Sequence, residues 1–300
     1  MSFCADIKKE LSASPLPHAC CRHAFAYGLL QCAHSFTIDE ISVMTEHRAV
    51  AAAYAAVLTA LFEDVSFYEQ MLPRKSGVYY TVHVADESDR RMILDAFGHT
   101  GDELSTRLNR ANIDCPHCAT AYMRGAFLTC GAVTDPESDY HLEFSLPLYK
   151  LSIDLLTLIE EADIPIKYIV RKGCHILYLK NAEIIADFMA FIGAQKGSLT
   201  YHETIILKDI RNAVNRRTNC ENANLTKTAA AAAEQLHAVQ HIEQNGGLTQ
   251  LPPELQEVAR IRLAHPEFSL RELGEACDPP LTRSGINHRL RRIVEFAATV

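Results

Sequence analysis

Near its carboxyl end the chain gathers side chains suited to reading a nucleic acid. Arg283, Ser284, Asn287, His288, Arg289, Arg291 and Arg292 all fall within ten residues. Arginine can bond guanine bidentately, and asparagine can do the same for adenine. A serine hydroxyl and the amides of a helix start can take a phosphate. At helical spacing, Ile286, Leu290, Ile293 and Ala297 form an apolar stripe, while Ser284, Asn287, His288, Arg291 and Arg292 fall on the opposite face. Arg283, Asn287 and His288 are therefore the candidates for base contact, with Ser284 near the groove edge. Arg289, Arg291 and Arg292 are the candidates for phosphate. The competing reading is a solvated face on a small protein-interaction bundle.

The second set of reactive residues is the cysteines. Cys115-Pro-His-Cys118 is a C-x-x-C pair ahead of a helix, where a thiol pKa can fall as in dithiol oxidoreductases. It lacks the strand–motif–helix setting near the start of a small domain that such redox proteins use. Zinc needs four ligands, so Cys20-Cys21 or His117 would have to complete the set. Buried or idle thiols are the default expectation, with no metal and no cofactor. The histidines form no H-E-x-x-H, and neither a P-loop, a G-x-G-x-x-G nor a G-x-S-x-G occurs.

These residues need elements to hold them. Pro252-Pro253 opens a helix that His265-Pro266 ends, and Ser269-Leu-Arg-Glu272 is a capping box that opens a second helix. Asp278-Pro279-Pro280 breaks it, and Thr282 is a plausible cap for the third. Two short helices before a basic one form the helix-turn-helix pattern. Upstream, residues 205–244 read as helical through the run of five alanines after Thr228, and Asn245-Gly246-Gly247 stops it.

The first 200 residues alternate helices and strands. Helices are expected at 19–34, 48–62, 88–97, 119–131, 152–161 and 181–191, with strands at 37–44, 78–84, 141–146, 167–170 and 174–179. The order helix–strands–helix–strands–helix occurs twice. Ala26 to Ala33 aligns weakly with Arg124 to Gly131, both rich in small residues.

Composition bounds the rest. The 300 residues are 48% hydrophobic with only 13 glycines, which fits globular domains. The net charge of −8 lies wholly in the first 200 residues, whereas the last twenty set four arginines against one glutamate. An acidic body with a basic end points to a polyanion partner at that end. Asp6, Lys8, Lys9 and Glu10 argue against a secretory signal, and the apolar stretch Ala49 to Phe62 is too short to span a bilayer. A cytoplasmic, nucleoid-associated protein without a membrane partner is expected.

Particular segments resemble the WhiA family: Leu251 to Ala259, Asp278 to Arg292, Asn219 to Thr228 and Met123 to Val133. Asp135-Pro136, Tyr140-His-Leu-Glu143, Ser2-Phe3 and Lys8-Lys9-Glu10-Leu11 extend the likeness to the whole chain. The resemblance implies an α+β fold in three parts. A catalytically dead LAGLIDADG homing-endonuclease-like pseudo-repeat domain would occupy 1–204, followed by a helical linker at 205–245. An all-α helix-turn-helix domain similar to sigma-factor region 4 would occupy 246–300.

It also implies a sequence-specific transcription regulator binding promoter DNA, acting on cell division, chromosome segregation or sporulation genes. Another regulator or RNA polymerase would be a further partner. Active LAGLIDADG nucleases end each motif helix in an acidic residue that holds divalent metal. Here Cys32 and Cys130 fall at those positions, and thiols suit magnesium poorly. Asp39 and Asp135 lie further on. The expectation is a protein that is not an enzyme. The rivals are an adaptor of the division machinery and a residual metal-dependent endonuclease.

Overall fold

The computed structural model describes every residue except Met1, Lys75, Ser76, Asp102 and Leu104. The chain separates into two compact units, Met1–Asp209 and Ile210–Val300.

The first unit is a pseudo-repeat. Helix α1 (Phe3–Ala13) precedes it, capped by the Ser2 side chain accepting from the Ala5 amide. The first half runs α2 (Ala19–Gln31), β1 (Ser35–Phe36), β2 (Ile41–Thr45), α3 (Arg48–Leu61), β3 (Phe67–Arg74), β4 (Gly77–Val84) and α4 (Glu87–Ala96). The second half repeats this as α5 (Pro116–Cys130), β5 (Gly131–Val133), β6 (Leu142–Leu146), α6 (Tyr149–Glu160), β7 (Lys167–Arg171), β8 (Cys174–Leu179) and α7 (Ala182–Ile192). The sheets share one antiparallel order, β1-β2-β4-β3 and β5-β6-β8-β7. This doubling of topology is far clearer than the residue alignment.

Helices α2 and α5 form the centre of the unit. Their residues are buried nearly all round, including Ala24, Tyr27, Leu29 and Leu30 on one and Tyr122, Met123, Phe127 and Leu128 on the other. That is the expected pattern for a core helix with no solvent face. Their backbones touch. A Cβ added at Gly28 would stand 2.1 Å from the Tyr122 carbonyl oxygen, and one added at Gly125 would stand 2.2 Å from that of Phe25. These two approaches are reciprocal, so Gly28 corresponds to Gly125 and Phe25 to Tyr122. The structural repeat is therefore one residue shorter than the alignment of Ala26 with Arg124.

Helix α8 (Gln195–Gln244) begins ten residues before the expected linker, and the boundary between the units lies within it. The second unit adds α9 (Pro253–Ala264), α10 (Leu270–Glu275) and α11 (Arg283–Ala297). Its core joins Val239 and Ile242 of α8 to Leu255, Val258, Leu273, Ile286, Leu290 and Ile293.

Candidate nucleic-acid interface and the closed helix-end site

Three local devices build the carboxyl-terminal helices. Pro253 starts α9, where its missing N–H costs nothing. Ser269 and Glu272 form a complete capping box: the Ser269 hydroxyl accepts from the Glu272 amide at 3.3 Å, and the Ser269 amide donates to the Glu272 carboxylate at 2.7 Å. The backbone bond to Ser269 holds the Glu272 carboxyl below its ordinary value. Thr282 caps α11 through the Gly285 amide at 3.2 Å.

The stripe on α11 is buried throughout: Ile286, Leu290 and Ile293 are fully inside, with Ala297 at its end. Arg283, Ser284, Asn287, His288 and Arg291 are all exposed. Arg283 and Asn287 line a groove of about 420 Å³ together with Lys227 of α8 and Arg271 of α10. Arg289 and Arg292 are set apart, only half-exposed and turned toward α9. Arg289 donates to the Glu254 carbonyl at 3.0 Å, and Arg292 to its carboxylate at 3.3 Å. The Glu254 carboxyl is held below its ordinary value, first by its own amide at the start of α9 and then by Arg292.

The sequence pattern missed the residue that ties this unit together. Arg262 is 2% exposed, and its guanidinium donates to the carbonyls of Phe268 at 2.7 Å and Pro266 at 3.3 Å and to the Gln235 side chain at 2.9 Å. It fixes the α9–α10 turn against α8. The only sequence signal was a charge on the apolar side of α9, between Ala259 and Leu263.

At the carboxyl end of α2, beside Tyr122 of α5, polar groups are buried and paired with one another. The Tyr122 hydroxyl donates to the Gln31 side chain at 2.6 Å, and Gln31 donates to the Tyr27 hydroxyl at 2.8 Å and to the Arg107 carbonyl at 2.9 Å. The Asn109 amide and His99 Nε2 complete the surroundings of the Tyr27 hydroxyl, each at 2.8 Å. Burial pushes both phenols above their ordinary value and lowers that of His99. The Cys32 sulfur lies 3.6 Å from the Tyr122 hydroxyl, and burial pushes the Cys130 thiol well up. Lys8 of α1 is 5% exposed, and its burial lowers its pKa, with Glu46 opposing the shift.

With the repeat shortened by one residue, Ala33 rather than Cys32 is the partner of Cys130. Gln31, Cys32, Ala33, Thr129 and Cys130 offer no carboxylate to a hard divalent ion. Asp39 and Asp135 are exposed, and Asp135 spends an oxygen on the Glu137 amide at 2.9 Å in its own turn.

Comparison with known proteins agrees with both units. The WhiA LAGLIDADG-like domain model matches residues 119–211, and the WhiA C-terminal HTH domain model matches 214–297. A "Probable cell division protein WhiA" of Clostridium botulinum is 36% identical over 85% of this chain and 83% of that protein. The protein of that name from Natranaerobius thermophilus is 34% identical over 99% of this chain and 95% of its own.

The chain belongs to the WhiA family.

The crystal structure of full-length DUF199/WhiA from Thermatoga maritima matches at a TM-score of 0.59 and 26% identity, covering 100% of this chain and 99% of that one. The WhiA fold, a LAGLIDADG-like domain followed by an HTH domain, is thus the fold of this chain. Helix α11 lies within the matched HTH region. Among the described residues, no helix is long and apolar enough to cross a membrane.

Proposed function

We propose that this chain is a sequence-specific, double-stranded-DNA-binding regulator of cell-division genes that does not cut DNA. The observation that carries the reading is the exposed face of α11. It presents Arg283, Asn287 and Arg291 at successive turns, with Ser284 and His288 beside them, on a helix fixed by a buried stripe and a cap.

In this reading α11 lies in the major groove. Arg283, Asn287 and His288 meet base edges, and Ser284 and Arg291 meet phosphate. Lys227 and Arg271, on the walls of the same groove, add phosphate contacts. Arg289 and Arg292 orient α11 against Glu254 and give the backbone only the donors left over. The relatives' name supplies the cell-division setting. Association with the nucleoid and contact with RNA polymerase or a second regulator belong to the same proposal. The absence of cleavage is supported by Ala33 and Cys130, the paired positions at the helix ends, neither of which supplies a carboxylate.

The test is binding of the full-length protein to genomic fragments at two salt concentrations, with and without magnesium. The expected result is selective, salt-sensitive binding that leaves the DNA intact. Asn287→Ala should weaken the preferred site by about 5- to 150-fold, the equivalent of roughly 1–3 kcal/mol. Arg291→Ala should weaken all sequences alike and reduce the salt slope by about 1. Cleavage in magnesium overturns the non-enzymatic reading. Binding indifferent to Asn287→Ala overturns the assignment of α11, and absence of DNA binding favours the adaptor.

A further inference from the structure

Four of the ten cysteines converge on one point at the amino ends of α2 and α5. Cys20 and Cys21 lie in the first turn of α2, Cys115 is the N-cap of α5 and Cys118 lies in its first turn. The glycine seam brings these two helix starts together, although 95 residues separate Cys20 from Cys115. The Cys115 sulfur is 3.7 Å from that of Cys20, 3.6 Å from that of Cys21 and 3.4 Å from that of Cys118. All four sulfurs lie within 4.8 Å of one another. The sequence shows one C-x-x-C pair, with Cys20-Cys21 as a candidate complement and idle thiols as the default; the structure brings the four together.

We propose that Cys20, Cys21, Cys115 and Cys118 hold one structural zinc ion as a tetrathiolate. With zinc–sulfur bonds of about 2.3 Å, a regular tetrahedron places its sulfurs about 3.8 Å apart. The three separations from Cys115 lie within tenths of an ångström of that edge, and no other exceeds it by more than about 1 Å. A disulfide would join sulfurs two at a time, whereas here Cys115 is equally close to three others. A polynuclear iron–sulfur cluster distributes its cysteines over two or more irons and so spreads them further.

The surroundings favour bound thiolate. Neither His18 nor Cys115 closes its helix start with a side-chain cap, so the positive ends of two helix dipoles face the cluster. Cys21 and Cys118 are buried, while Cys20 and Cys115 are half-buried at the rim. A cleft of about 300 Å³, lined by His18, His117 and Cys21, opens beside them and gives an ion a way in.

Binding forms four sulfur–zinc bonds and releases four thiol protons to solvent, with no change in oxidation state. Four protein ligands leave no open position, so the ion is a staple between the two central helices and not a catalytic centre.

The test loads reduced full-length protein with cobalt(II) and then with zinc(II). The expected result is one cobalt per chain, with the sulfur charge-transfer and visible bands of a tetrahedral tetrathiolate, bleached by one equivalent of zinc. Mass spectrometry under native conditions should then show one zinc per chain. Cys115→Ser and Cys20→Ser should each weaken uptake at least tenfold, while Cys220→Ser, at an exposed position on α8, should leave it unchanged. If a cysteine variant fails to fold, the wild-type cobalt spectrum still decides. Folded wild-type protein that shows no tetrathiolate bands overturns the proposal. So does uptake that survives Cys20→Ser and Cys21→Ser undiminished.

Discussion

The exposed face of α11 and the carboxyl end of α2, beside Tyr122 of α5, both collect polar side chains, but they use them in opposite ways. On α11 the cap and the buried stripe satisfy the helix itself, leaving Arg283, Asn287 and Arg291 presented to solvent. At the end of α2, Gln31, Tyr27, Tyr122, His99 and Asn109 spend their hydrogen bonds on one another inside the core. A polar group committed to its own fold adds shape, whereas one held rigid but uncommitted is available to a ligand. The two regions differ in this commitment more than in residue type.

The largest effect should come from the seam that creates the closed site. Gly125→Ala pushes a methyl against the Phe25 carbonyl and to within 2.6 Å of the Leu29 amide, both backbone atoms. A loss of about 4 kcal/mol is expected, read by denaturant unfolding of the first unit. Gln31→Leu should cost about 1–3 kcal/mol, because it strands the buried Tyr122 hydroxyl, while leaving DNA affinity unchanged. Ser269→Ala removes the reciprocal cap of α10 and should cost about 1 kcal/mol in the second unit.

The smallest effect is one of pH. Burial depresses the His99 pKa in the folded state, so protonation favours unfolding. Its contribution is complete above the ordinary histidine value and is lost as pH falls through that value toward the depressed one. Thermal melts should show this slope, and His99→Gln should flatten it. On the exposed face of α11, alanine at Asn287 should change stability by less than about 0.5 kcal/mol. A large loss there would erase the contrast between the two regions.

What was legible in the sequence follows from range. The stripe Ile286, Leu290, Ile293 and Ala297, the Ser269–Glu272 box and the hairpin around Arg171-Lys172-Gly173 are written within a few residues, and the structure contains all three. Strand β3 escaped notice because it is exposed along nearly its whole length and ends in Pro73-Arg74, so it shows no alternation. Helix α1 is short, with two adjacent lysines inside it, and gave no clear apolar face. The repeat was visible, but its register was not, since two glycines one residue out of step fit the alignment almost as well. The meeting of the cysteines and the roles of Gln31 and Arg262 depend on contacts between distant segments, which no local pattern carries.

The glycine seam also sets an order in time. Gly28 and Gly125 are about a hundred residues apart, and a ribosome adds about 5–20 residues each second. Helix α2 therefore leaves the ribosome roughly 5–20 seconds before its partner exists. During that interval its bare glycine face and the Cys20-Cys21 pair have nothing to close on. The centre of the first unit cannot form before α5 is made, and the second sheet, β5 to β8, is made only after it.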